Sequence, residues 1–251
     1  MSSSIWTRCA GISELRPLQL TPWRVVEAQH QVSTRKLVDS AEEQILLEEL
    51  IDRAKPPDIT HGRHHYLLST PFRYPPLRRG SRFGGRQERG VWYGSETRRT
   101  AFAEVAYYRL VFLEGTSAVL GAVTTQLTAF TVRAHSVRAV DLVSPPFDVE
   151  RQAIASPTQY NATQALGSAM RHAGVELIRY PSARDAADGV NVAAFSPQVF
   201  GTAKPRALET WSCTAARERI ELAKRDYFAR DNFMFPREDF LVDGVLPSPA
   251  V

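Results

Sequence analysis

Apolar residues at Leu37, Val38, Ala41, Ile45, Leu47, Leu50 and Ile51 recur near helical spacing, and Pro56 and Pro57 end the run. This pattern predicts a helix over residues 33–54. Residues 1–32 mix Trp6, Trp23, Pro17 and Pro22 with short apolar pieces in no sustained period, and they receive no assignment. Pro75, Pro76, Gly80, Gly84, Gly85 and Gly90 forbid a regular helix over 73–90 and predict a structured loop. Val91, Trp92 and Tyr93 follow as a short strand. Ser95 then caps a predicted helix over 97–110, with Ala101, Phe102, Val105 and Ala106 as its apolar stripe.

Further along, 127–134 and 137–143 are rich in β-branched residues and read as strands, the second closed by Ser144, Pro145 and Pro146. Ser156 and Pro157 mark a helix start, and Gly174 marks its stop. Residues 175–180 and 190–195 read as two more strands, with Ser182 in the loop between them. Beyond Pro197, 208–214 reads as a strand and 216–229 as a helix. No repeat or low-complexity segment interrupts this order of mixed elements.

With 43% apolar and 23% charged residues, the 251-residue chain has the composition of a folded globular protein. Its length suits one generous domain, or one domain with added segments. A net charge of +4 is too small to argue for a nucleic-acid protein. The distribution says more, because Arg73, Arg78, Arg79, Arg82, Arg86 and Arg89 face only Glu88 within that loop. Cys9 and Cys213 are too few for a disulfide framework or a metal knuckle, which fits a reducing compartment. The start of the chain lacks a signal-peptide pattern, and the apolar stretch 110–123 is broken by Glu114, so the expectation is a cytoplasmic protein without a membrane span or metal.

Glu104 lies beside Ala101, Val105 and Tyr108 on the predicted helix, on or next to the apolar stripe. That fits a carboxylate at a pocket edge, and equally a surface Glu whose stem covers apolar area. The arginine loop has two readings as well. It is a solvated or nucleic-acid-binding patch, or a cradle for a phosphorylated ligand, with Phe72, Tyr74, Phe83, Trp92 and Tyr93 offering faces for a ring. Ser182, in Arg179-Tyr180-Pro181-Ser182-Ala183-Arg184, is by itself an ordinary loop serine. No nucleophile elbow, P-loop, dinucleotide-binding glycine fingerprint or HExxH stands in the chain.

The segments Pro71-Phe72-Arg73-Tyr74-Pro75-Pro76, Gly80-Ser81-Arg82-Phe83-Gly84, Val91-Trp92-Tyr93-Gly94-Ser95, Ala101-Phe102-Ala103-Glu104-Val105-Ala106, Tyr180-Pro181-Ser182-Ala183-Arg184 and Asn191-Val192-Ala193-Ala194-Phe195 together resemble the RES domain. This bacterial toxin family is named for an Arg, a Glu and a Ser. Tyr93 lies 11 residues from Arg82 and 11 from Glu104, spacings that resemble the family's own. Many members carry Arg-Trp-Asn where this chain has Arg82-Phe83-Gly84.

The resemblance implies an α+β fold, a split, bent sheet with flanking helices, similar to the ADP-ribosylating toxins. It divides the chain into an N-terminal extension with one helix (1–60), the RES domain (61–205) and a C-terminal extension packed on it (206–251). It assigns Glu104, Arg82, Tyr93 and Ser182 to catalysis, and Arg73, Arg82, Tyr93, Ser182 and Asn191 to substrate binding. The implied activity is NAD+ cleavage at the nicotinamide-ribosyl bond, NAD+ being substrate rather than cofactor and water or inorganic phosphate the acceptor. The implied partner is a helix-turn-helix, Xre-like antitoxin that blocks the cleft, with a homodimer inside the complex also allowed. A mono-ADP-ribosyltransferase and a non-catalytic nucleic-acid module are the competing readings, although the resemblance implies no direct nucleic-acid contact.

Overall fold

The computed structural model describes residues 4–28, 38–57, 62–74, 79–118, 120–228 and 230–248. Within them ten strands form one mixed sheet: β1 (Arg16–Leu20), β2 (Trp23–Glu27), β3 (Trp92–Ser95), β4 (Val123–Thr131), β5 (Ala134–Asp141), β6 (Leu177–Pro181), β7 (Val190–Ala194), β8 (Arg206–Ala215), β9 (Arg219–Lys224) and β10 (Asn232–Pro236). The order across the sheet is β1-β5-β6-β7-β3-β2-β4-β8-β9-β10. Only β5 and β6 run parallel, and the remaining pairs are antiparallel.

The sheet is nearly divided in two. β2 and β3 share a single register pair, Trp23 with Ser95, whereas β2 pairs with β4 along its whole length and β3 with β7 along its own. Gly94 lies at this junction, where a Cβ would stand 2.7 Å from the Trp23 carbonyl oxygen and 2.6 Å from the Trp92 ring. No larger residue fits that approach.

Strand alternation sorts the side chains into three cores. On one face of the β2-β4-β8-β9-β10 half, Leu127, Ala129, Trp211, Cys213, Ile220 and Leu222 pack under α4 (Arg98–Glu114). On the same face of the other half, Val140, Ile178, Tyr180 and Ala193 pack under α1 (Ile5–Arg8), α5 (Arg151–Ile154) and α6 (Asn161–His172). The opposite face carries a third core that spans both halves, in which Trp92, Phe130, Val192 and Phe200 meet Leu68 and Phe72 of α3 (Tyr66–Arg73). Each such aliphatic or aromatic side chain contributes roughly 1.5–3 kcal/mol on burial. The first two cores leave a gap between them, directly above the place where the sheet divides.

Several sequence expectations change. The unassigned N-terminal stretch supplies β1 and β2, so the first 60 residues are more than an extension with one helix. Within the expected helix 33–54, α2 spans Ala41–Ala54, and residues 33–37 lie outside the described part. Ser95 does not cap α4. Thr97 does, its hydroxyl accepting from the Thr100 amide at 3.1 Å. Helix α6 begins at Asn161, because the Ser156 hydroxyl instead accepts from Thr158 and Gln159 in the preceding turn.

No helix covers the described residues of 216–229. Ile220 and Leu222 are buried while Arg219 and Glu221 are exposed, and this period of two makes β9. The C-terminal segment belongs to the first core through Phe235, Phe240 and Leu246, and the Tyr107 hydroxyl donates to the Pro247 carbonyl at 2.6 Å.

Candidate active site

Helix α4 carries two apolar faces rather than one. Phe102, Ala103, Ala106, Tyr107, Leu110 and Leu113 form the core-facing stripe. Ala101, Glu104, Val105, Tyr108 and Phe112, again at helical spacing, line a cleft of about 590 Å³ at the sheet division. A volume of that order suits a small-molecule ligand, for which roughly 300–1,000 Å³ is usual. β2 forms the opposite wall from Trp23 to Glu27, and Ser81, Arg82, Tyr93, Ser95, Tyr160, Tyr180 and Asn191 close the inner end.

Glu104 is held by a polar chain that converges from three elements. The Ser182 hydroxyl donates to Glu104 Oε1 at 2.7 Å, and the Asn191 amide donates to the same oxygen at 2.6 Å. Asn191 in turn accepts from the Ser95 hydroxyl at 2.6 Å. The carboxylate's other oxygen, Oε2, has no hydrogen-bond partner among the described residues and is free for a ligand.

The serine is itself fixed. Its hydroxyl accepts from the Arg184 and Asp185 amides, both at 3.1 Å, in a tight turn after β6. Buried Asp185 ties that turn back to α4, accepting from the Thr100 hydroxyl at 2.8 Å and pairing with Arg99 at 3.3 Å. Ser182, Ser95 and Asn191 are all buried, so the chain is shielded from competing water.

The expected site residues do not all meet. Glu104, Arg82, Tyr93 and Asn191 line the cleft, and Ser182 joins them from behind, through its bond to Glu104. Arg73 is not among its lining residues. It ends α3, and its guanidinium donates to the Pro56 carbonyl. Arg82 reaches the cleft from a loop pressed onto α6, where a Cβ on Gly167 would lie 2.3 Å from the Phe83 carbonyl oxygen. Its guanidinium bonds the carbonyls of Ile154 at 2.9 Å and Ser156 at 3.0 Å, and it stacks over the Tyr160 ring at 4.5 Å. Both bonds come from Nη1, so that nitrogen is committed to the protein.

Tyr93 is likewise anchored, its hydroxyl sharing a 2.9 Å bond with Ser81 and accepting from the Phe83 amide at 3.0 Å. Burial pushes its phenol up to about 12, although those two bonds pull the other way. Tyr180 packs edge-on against Phe83 and Tyr93. Its phenol is also raised, by burial and then by the Glu104 carboxylate nearby.

Sequence reasoning missed Arg24. It sits in β2 at the division of the sheet, where one guanidinium nitrogen donates to the Tyr93 carbonyl at 2.9 Å and the group lies 5.2 Å from the Trp92 ring centroid. Its Nε is buried without a partner, and no carboxylate pairs with it among the described residues. Burial lowers its pKa to about 10, which leaves it cationic at neutral pH. The signal was a charged residue inside Trp23-Arg24-Val25-Val26, a run otherwise suited to a buried strand. Carboxylate, guanidinium and aromatic walls together can hold an anionic ligand with a ring at one end and place negative charge beside a developing cation.

Cys9 and Cys213 are buried free thiols. Among the described residues no group of three or more His, Cys, Asp or Glu side chains is placed to hold a metal ion, and no helix is long and apolar enough to cross a membrane.

No curated protein matches the chain in sequence. The solved M. tuberculosis MbcT-MbcA toxin-antitoxin complex contains a chain that is similar at 13% identity, with a TM-score of 0.48, over 86% of this chain and 94% of that one. The family model of the RES domain matches residues 55–216.

Proposed function

The chain belongs to the RES domain family, and from that premise we propose that it cleaves NAD+ between nicotinamide and ribose as the toxin of a toxin-antitoxin pair. Family members generally process NAD+. The observation that carries the reading for this chain is the Glu104 carboxylate, fixed at Oε1 by Ser182 and Asn191 with Oε2 free, in a cleft whose lining includes Arg24 at the division of the sheet.

In the proposed reaction the bond between ribose C1 and the pyridinium nitrogen breaks, and its electron pair stays with nicotinamide, which leaves neutral. Positive charge develops at C1, and Glu104 stabilises it or holds the ribose hydroxyls in place. Water or inorganic phosphate then bonds to C1 through oxygen, and with water as acceptor a proton is released. Arg24 anchors the diphosphate, with Arg82 contributing what its carbonyl bonds leave available. Tyr93 and Tyr180 wall the ring. Ser182 and Asn191 are positioning residues that act through Glu104.

The antitoxin belongs to the same proposal, as a protein segment that occupies this cleft and excludes substrate. The test is to incubate the purified chain with NAD+, with and without phosphate, and to identify the products. Nicotinamide with ADP-ribose indicates hydrolysis, and nicotinamide with a phosphorylated ADP-ribose indicates phosphorolysis. Label retained on a protein band indicates transfer instead. Intact NAD+ in both samples, with no antitoxin present, overturns the proposal.

A further inference from the structure

The cleft continues past Glu104 to an outer end for which bond cleavage supplies no role. There Tyr108 and Phe112, about one turn apart on α4, keep 49% and 64% of their surfaces exposed while lining the cleft opposite Val25 and Leu127. Glu27, the last residue of β2, stands at the same end with its Oε1 bound to Arg109 at 2.5 Å. Its side chain remains 66% exposed.

Resting on the reading of this cleft as an NAD+ site, we propose that the outer end is the adenosine subsite and that Glu27 selects a free adenosine 2′-hydroxyl over a 2′-phosphate, and so NAD+ over NADP+. The inner end is closed by buried Ser95, Asn191 and Tyr180. A ligand with its C1 at Glu104 therefore directs the rest of its length outward. Glu27 shares with Trp23 and Val25 the face of β2 turned toward α4, so a ligand running outward from Glu104 brings its second ribose to Glu27.

The two exposed rings offer a stacking surface for the base, a use that explains large aromatics left open on a helix. Glu27 Oε2 has no partner among the described residues and accepts from a ribose diol. The same carboxylate repels a phosphate dianion, and Arg109, held by Glu27, is not free to offset that repulsion.

The test uses the full chain. Wild type, Glu27→Gln and Phe112→Ser are titrated calorimetrically with ADP-ribose and with its adenosine 2′-phosphate, and turnover is measured on NAD+ and NADP+. Wild type is expected to favour the unphosphorylated ligands by about 100-fold, and Glu27→Gln to narrow that ratio by about tenfold or more. Phe112→Ser is expected to weaken both ligands about tenfold without changing the ratio.

An unchanged ratio in Glu27→Gln, or equal use of both dinucleotides by wild type, overturns the proposal even if NAD+ is cleaved. Discriminating ADP-ribose binding with NAD+ left intact overturns the cleavage reading and supports the subsite. Absence of all binding overturns both.

Discussion

The two walls of the cleft differ in how their charges are settled. On the α4 wall, Glu104 is met by Ser182 and Asn191, and each of these is fixed by further buried partners. On the β2 wall, Arg24 has one carbonyl, one ring and a buried Nε with nothing to bond. The first arrangement is complete before any ligand arrives, so its geometry costs nothing to assemble during reaction. The second is incomplete, and a half-buried cation with no carboxylate beside it among the described residues costs stability that a bound anion restores. In the proposed reaction one wall serves the chemistry and the other the capture.

That contrast can be broken at either wall. The largest effect is expected from Glu104→Gln, which keeps the shape and removes the charge. NAD+ turnover should fall by about 10²–10³-fold or more, with the thermal midpoint unchanged. Full activity in this variant would remove Glu104 from the chemistry.

Arg24→Met should raise KM by about 10–100-fold through loss of charge-assisted bonds to the diphosphate. The same change should leave the thermal midpoint equal or higher, because it removes a half-buried charge that no carboxylate pairs with among the described residues. A less stable protein with unaltered KM would show that Arg24 serves the fold rather than the ligand.

The smallest effect concerns Tyr93, whose phenol titrates near 12 in the folded protein against an ordinary value of 10. The unfolded chain releases this proton first. Tyr93 therefore contributes stability that is complete below pH 10 and is lost as the pH rises through 12. Tyr93→Phe should flatten the loss of stability over that window in a denaturation series. It should not abolish the loss, since Tyr107 is also raised to about 12.

The sequence made the carboxylate wall legible and left the arginine wall obscure, for physical reasons. Helical period placed Glu104 beside apolar neighbours and left a surface role open, and the spacings to Tyr93 and Arg82 singled it out only through the resemblance to the RES family. The α4 stripe was only half read. Two apolar faces overlap on that helix, and periodicity alone does not separate the one that packs from the one that binds.

Arg24 was hidden because β2 is five residues long and sits among prolines and tryptophans with no sustained alternation. The family-model match also begins beyond it, at residue 55. Arg73 and Arg82 were assigned through the resemblance to the RES family, which does not reveal that the Pro56 carbonyl takes Nε of the first and the Ile154 and Ser156 carbonyls Nη1 of the second. Ser95 was mistaken for a helix cap because its role, bonding Asn191 at a separation of 96 residues, is visible only in three dimensions.

Those separations also set a timetable. Glu104 waits for Ser182, 78 residues later, and for Asn191, 87 residues later, while the core that seats α4 requires β8 to β10 near the end of the chain. A chain emerging from the ribosome N-terminus first thus holds a lone carboxylate while those 78 and 87 further residues are made. Strands β8 to β10, made later than both, then complete the core that seats its helix. Glu104 gains its geometry only when segments far apart along the chain have folded together.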